Sequence, residues 1–214
     1  MPLYLSDFTP DDGGWAVWQR TETDDELRRM FPAGGLYLRE TDAFRAHPAR
    51  LSERLAVRAL MLACWGTEHP VAYLPGGAPC LADGRYHISI SHTGRYAALC
   101  WHPSLPAGID IELIRPKALR LAPRFMHPSE QAEGDPLTVA VLHWSAKETL
   151  YKLLPRQEAT DFARHLRITP FTLAREGTLT ARDVRPGGIT RTLHYRVEHD
   201  FVLTWHHPHT PLSL

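Results

Sequence analysis

The chain has 214 residues, 43% of them hydrophobic and 22% charged, with 24 basic residues against 24 acidic ones. Such a length fits one compact domain or two small ones, and such a composition carries enough apolar side chain for a buried core, which excludes a disordered polyelectrolyte. Balanced charge excludes a global field for nucleic acid or anionic membrane, so any phosphate-binding site must be local.

The three cysteines, Cys64, Cys80 and Cys100, are far apart and form no CxxC pair, which argues against a zinc ribbon or disulfide framework and fits a reducing, cytoplasmic setting. An acidic pair, Asp11-Asp12, lies where a signal peptide needs positive charge. No window approaches the roughly 20 apolar residues of a membrane span.

In chain order, Pro48 to Trp65 places Leu51, Leu55 and Leu62 at helical spacing with Arg50, Glu53, Arg54 and Arg58 interleaved, and predicts an amphipathic helix. Turns follow at Leu74 to Ala78 and Ala82-Asp83-Gly84. In Tyr86 to His92, Ile88 and Ile90 alternate with Ser89 and Ser91, and this strand is paired in a hairpin with Tyr96 to Trp101. The stretch His102 to Ala107 holds two prolines and is the expected boundary, dividing residues 1–104 from 105–214. Beyond it come a strand at Gly108 to Leu113 and a helix over about Val139 to Leu154, stopped by Pro155. Further strands are expected at Leu166 to Phe171, Leu173 to Thr180, Arg191 to Val197 and Phe201 to Trp205. The hairpin at Tyr86 to His102 resembles that at Leu193 to His206: each has two histidines five residues apart, then an apolar strand ending in Trp-His. This echo favours an α+β fold built as a pseudo-dimer of two similar halves.

Strand period 2 sends Ile109 and Ile111 to one face and Asp110 and Glu112 to the other. Taken alone, such a strand is usually a polar outer face. Two carboxylates side by side nevertheless repel, no basic residue follows until Arg115, and hard divalent ions such as Mg²⁺ favour carboxylates together with substrate phosphates and water. In Trp144 to Lys152 (WSAKETLYK), Glu148 and Lys152 share a helical face. An isolated pair of this kind is usually a surface ion pair, but Trp144, Leu150, Tyr151 and Leu153 around it point to partial burial.

Among 13 histidines there is no HExxH motif and no tight Cys/His cluster. The run His206-His207-Pro208-His209 reads as an exposed tail rather than a metal site. His92, at the end of a strand before Thr93-Gly94, is presented by a tight turn. The arginines of the 48–65 helix read as a solvated face, although one guanidinium fork there is able to anchor a phosphate.

Three segments in fixed order, ISISHTGRYA at 88–97, GIDIE at 108–112 and WSAKETLYK at 144–152, together resemble the signature of Sfp-type 4′-phosphopantetheinyl transferases. The resemblance implies a pseudo-dimer with coenzyme A in the groove between its halves, and hence a monomer. It implies that Asp110, Glu112 and Glu148 bind Mg²⁺ with the coenzyme A pyrophosphate, that Lys152 offsets phosphate charge, that His92 beside Ser91 contacts a coenzyme A phosphate, and that Arg58 or Arg50 holds the 3′-phosphate. Arg124 to Glu130 (RFMHPSE) resembles the family's Arg-Phe-x-Ser-x-x-Glu stretch, with His127 in place of the usual serine or threonine, and makes Glu130 a further candidate at the site. Gly77-Ala78-Pro79 stands where the family often has Gly-Lys-Pro, so one coenzyme A contact is missing.

The expected reaction moves phosphopantetheine from coenzyme A to a serine of an apo carrier protein and releases 3′,5′-ADP, with Glu148 as the favoured base and Glu130 second. A metal-dependent nuclease is disfavoured, because Lys147 precedes Glu148 and the chain has no excess positive charge for a nucleic acid backbone. A non-catalytic carrier-binding or coenzyme A-binding module is the remaining alternative, and it has no need for the full carboxylate-lysine set.

Overall fold

The computed structural model of this chain describes residues 3–155 and 160–207, which fall into two units: one holds residues up to Ala107 together with His207, the other spans Gly108–His206. In the first, β1 (Leu3–Thr9) and β2 (Gly13–Gln19) make a hairpin, followed by helices α1 (Asp24–Arg29), α2 (Leu36–Asp42) and α3 (Pro48–Trp65). A short hairpin of β3 (Val71–Tyr73) and β4 (Pro79–Leu81) precedes a longer one of β5 (His87–Thr93) and β6 (Tyr96–His102). The main sheet runs β1-β2-β6-β5, antiparallel throughout.

Helix α3 has the predicted bounds. Pro48 occupies its first turn, where a missing N–H costs nothing, and Gly66 at φ 70° closes it by donating its N–H to Leu62 O. Its inner stripe, including Leu55, Ala59 and Leu60, joins Trp18, Tyr37, Leu99 and Trp101 in one core.

The second unit opens with β7 (Gly108–Leu113), α4 (Lys117–Phe125), β8 (Ala132–Glu133), α5 (Pro136–Lys152) and α6 (Phe162–His165). It continues with β9 (Leu166–Ile168), β10 (Phe171–Thr172), β11 (Glu176–Asp183), β12 (Thr190–Val197) and β13 (Phe201–His206). The antiparallel sheet runs β7-β13-β12-β11-β9, while β8 and β10 form a small parallel pair. Leu142, Ala146, Leu150 and Leu153 form the helical stripe by which α5 packs on Leu179, Ala181, Leu193 and Tyr195 of this sheet.

Four expectations are corrected here. Helix α5 begins at Pro136 rather than Val139, because Asp135 caps it by accepting hydrogen bonds from the Thr138 N–H and hydroxyl. The strand expected over Leu166 to Phe171 is split at Thr169-Pro170, since proline offers no N–H to a ladder. The strand expected over Leu173 to Thr180 starts only at Glu176: the Leu173 N–H goes to Glu133 O and the Ala174 N–H to the Tyr195 hydroxyl. In the histidine run, His206 is the last residue of β13 and the His207 ring lies 5.2 Å from that of His102, so both belong to the folded structure; Pro208 and His209 lie outside the described residues.

The two units repeat one pattern. In each, a strand precedes a long helix and then a hairpin whose second strand lies between the hairpin's first strand and that earlier strand: β2-α3-β5-β6 in one, β7-α5-β12-β13 in the other. The two Trp-His endings, Trp101-His102 and Trp205-His206, close equivalent strands. The fold is α+β. No helix among the described residues is long and apolar enough to cross a membrane.

Because Leu150 is fully buried at the centre of the α5 stripe, Leu150→Ala is expected to cost about 2–5 kcal/mol of stability. Chemical denaturation of the variant and the parent checks this.

Candidate active site

Strand β7 does what its alternation predicts. Ile109 and Ile111 are fully buried, and the carboxylates of Asp110 and Glu112 meet side chains of α5. Trp144, Glu148 and Lys152 stand one turn apart along the same face of that helix. The Trp144 indole Nε1–H donates to Glu112 Oε1 at 3.0 Å, and the Lys152 ammonium donates to Asp110 Oδ1 at 2.9 Å and to the Ile109 carbonyl at 2.8 Å. Between these two contacts lies Glu148, which makes no hydrogen bond or ion pair among the described residues. Lys152 thus reaches across to the strand instead of forming the i,i+4 surface ion pair that an isolated Glu-Lys spacing usually gives.

Helix and strand are fixed to each other by buried hydroxyls. Ser145 Oγ lies 2.9 Å and Thr149 Oγ1 2.7 Å from Thr204 Oγ1, and Ser145 also reaches the Asp110 carbonyl at 3.4 Å. Thr204 is the β13 residue registered opposite Asp110.

Three carboxylates thus face one ammonium. Burial pushes the Glu148 carboxyl up to about 7, the charges of Asp110 and Glu112 add to the rise, and Lys152 opposes it. Glu112 is also raised, first by burial and then by Asp110, against the Trp144 hydrogen bond and the Lys152 charge. This is an all-oxygen, electron-rich set that a hard divalent cation would relieve. Among the described residues no three metal-ligating side chains converge tightly enough to hold an ion by themselves, so phosphate oxygens and water would complete any coordination shell.

Glu130 is not joined to these carboxylates by any hydrogen bond. It is buried in an ion pair with Lys147 at 2.6 Å, and its oxygens also accept from the N–H groups of His127 and Ile168.

The remaining predicted residues belong to the first unit. His92 is exposed at the end of β5, with Nδ1 3.6 Å from Glu53 Oε1 of α3. It lines a cavity of about 260 Å³ together with Arg20, Ser52 and Arg95. Ser91, its neighbour, is buried in the strand. Arg58 is buried too: Nε donates to Glu40 Oε2 at 2.8 Å, and the guanidinium lies 5.4 Å from the Tyr37 ring centre. Arg50 is exposed on α3 and is not among the residues lining the cavity. Arg20 and Arg95 were not singled out in the sequence, since Arg20 follows a strand that reads as a plain apolar run; Arg95, next to Gly94 in the β5-β6 turn, had a usable signal.

The family described as the 4′-phosphopantetheinyl transferase superfamily matches residues 106–206, which include β7 and α5. The chain is 39% identical over 83 residues to the 4′-phosphopantetheinyl transferase Sfp of Bacillus subtilis, covering 36% of this chain and 37% of that protein. It is 39% identical over 80 residues to another Bacillus subtilis 4′-phosphopantetheinyl transferase, covering 35% of this chain and 34% of that one. A Synechocystis protein named for the same family is 29% identical over 146 residues, covering 63% of this chain and 57% of that protein. The matched segments span between about a third and a little over half the length of these relatives. Residues 106–206, which carry the carboxylate strand and the Glu148 helix, are thus similar to the 4′-phosphopantetheinyl transferase superfamily, and the relatives matched include Sfp.

Proposed function

We propose that the protein transfers the 4′-phosphopantetheine group of coenzyme A to a serine hydroxyl of an apo carrier protein, with Mg²⁺, and releases 3′,5′-ADP. The observation that carries this reading is the gathering of Asp110, Glu112 and Glu148 against the single ammonium of Lys152, on the two elements that the family match covers.

Asp110, Glu112 and Glu148 would hold the ion. Its contribution when bound is to neutralise and orient the pyrophosphate oxygens. Lys152, already anchored on Asp110, donates to a phosphate oxygen and offsets charge as it builds. Glu148, whose carboxylate makes no hydrogen bond among the described residues, accepts the serine proton as the serine oxygen bonds to the β-phosphorus. The bond from that phosphorus to the 3′,5′-ADP oxygen breaks, and the ADP leaves with the electron pair. Glu130 is excluded as the base in this reading, because both of its oxygens are committed to Lys147 and main-chain N–H groups.

In the first unit, His92 would contact a coenzyme A phosphate, with Arg20 and Arg95 in the same cavity supplying positive charge. Arg58 is held by Glu40, so Arg50 is the better 3′-phosphate candidate of the two. His92→Ala is expected to raise the KM for coenzyme A about 10-fold with little change in kcat, as loss of one charge-assisted hydrogen bond predicts. Steady-state kinetics at varied coenzyme A checks this.

The alternative, a binding module without catalysis, predicts tight coenzyme A binding and no modification of any carrier. Calorimetric titration with coenzyme A, run beside a labelling assay on several apo carriers with and without Mg²⁺, separates the two. Binding without labelling overturns the transferase.

A further inference from the structure

We propose that the buried Lys147–Glu130 pair is a positioning device that aims Glu148 and Trp144 at the carboxylate strand. The role given to Glu148 rests on the transferase reading above; the geometry of the pair does not.

Lys147 is fully buried and precedes Glu148 by one residue. Successive side chains on a helix are set about 100° apart, so fixing the direction of one fixes the next. The Lys147 ammonium is held by four acceptors: Glu130 Oε2 at 2.6 Å and the carbonyls of Phe125 at 2.7 Å, Leu166 at 2.9 Å and Phe162 at 3.2 Å. An ammonium has three protons to share among these four; Leu166 O also accepts from Arg167 and Phe162 O from the Leu166 N–H, so the Glu130 carboxylate and Phe125 O depend most on Lys147. On another side of α5, Ser145 and Thr149 are tied to Thr204. The helix is therefore pinned against rotation from two directions, with Glu148 between Lys147 and Thr149 in sequence.

A second line of contact runs through the same carbonyl-bearing residues. The Phe125 ring lies 5.2 Å and the Phe162 ring 5.4 Å from the Trp144 ring, and Trp144 is the donor to Glu112. Lys147 holds the main chain of both phenylalanines, which in turn set the indole that orients Glu112. Glu130 completes the clamp by accepting from His127 N at 2.6 Å and Ile168 N at 2.7 Å, tying the loop after α4 and strand β9 to the helix. The one ion pair thus governs the aim of two of the three clustered carboxylates without touching either.

The test uses the full chain with Mn²⁺ as a paramagnetic probe in place of Mg²⁺. Glu130→Gln and Lys147→Met are expected to weaken Mn²⁺ binding, read by electron paramagnetic resonance, by roughly 10- to 100-fold, the usual range for residues that orient metal ligands. In both, kcat should fall while the KM for coenzyme A stays close to the parent value. The double variant Glu130→Gln with Lys147→Met separates aiming from folding, because it removes both buried charges together, so neither is left unpaired, while the glutamine carbonyl still accepts from a main-chain N–H. It is expected to regain a cooperative melt and to retain the weakened Mn²⁺ binding. Parent-like Mn²⁺ affinity in any folded variant overturns the proposal. So does a double variant that does not fold, because the pair would then serve the fold alone. A parent protein that binds Mn²⁺ but modifies no carrier overturns the transferase reading and leaves this comparison standing. A parent that binds no Mn²⁺ overturns the ligand assignment and the positioning role with it.

Discussion

Asp110→Asn is expected to lower phosphopantetheine transfer by about 10²- to 10³-fold while leaving the circular dichroism spectrum unchanged. The residue carries two duties. Its carboxylate accepts from Lys152 at 2.9 Å, and its charge is one of the causes that raise both Glu112 and Glu148. Asparagine keeps the shape and a carbonyl oxygen for Lys152, so the fold survives. It removes the charge that would bind a divalent ion, and it releases part of the strain on Glu148. A measured rate within a few-fold of the parent, at saturating coenzyme A, contradicts the assignment.

Glu148→Gln separates stability from function. The carboxyl of Glu148 is raised from its ordinary 4.5 to about 7 in the folded chain. A carboxyl with a folded pKa above its unfolded one contributes fully to stability only while protonated, below about 4.5, and that contribution is lost as pH rises through 7. Glutamine cannot ionise. In the absence of divalent ions the variant is therefore expected to melt higher than the parent at pH 8, with little difference at pH 4. Each kcal/mol recovered corresponds to roughly 2–4 °C for a chain of this size. Mg²⁺ with coenzyme A should raise the melting temperature of the parent and close the gap, while the variant loses transfer. A variant less stable than the parent at pH 8 contradicts the burial of a charged Glu148.

Much of this site could be read from local pattern. The alternation in Gly108 to Glu112 placed two carboxylates on one face, and the 3.6-residue period gave α3 its observed bounds. What stayed hidden depends on partners far away in the chain. Trp144 meets Glu112 across 32 residues and Lys147 meets Glu130 across 17, and neither pair has a local signature. The shared face of Glu148 and Lys152 follows from helix spacing, and the ammonium finds its carboxylate across the strand in Asp110. Arg58 looked like one of a solvated row and is buried on Glu40 instead, because α3 presents that position to its own core. The start of α5 was legible in Asp135-Pro136, a capping residue followed by proline. Strands β1 and β2 are absent from the expected elements. β2 in particular is buried along nearly its whole length, so it lacks the alternation that marks a half-exposed strand.

The central claim is transfer of phosphopantetheine to a serine. Its most direct test is intact-mass spectrometry of a panel of apo carrier proteins incubated with the protein, coenzyme A and Mg²⁺, followed by fragmentation to locate the modified residue. The account predicts a phosphopantetheine adduct on one serine of at least one carrier, formed in step with 3′,5′-ADP and absent when Mg²⁺ is chelated. Carriers that remain unmodified across the panel, under conditions where an established transferase modifies them, would contradict it.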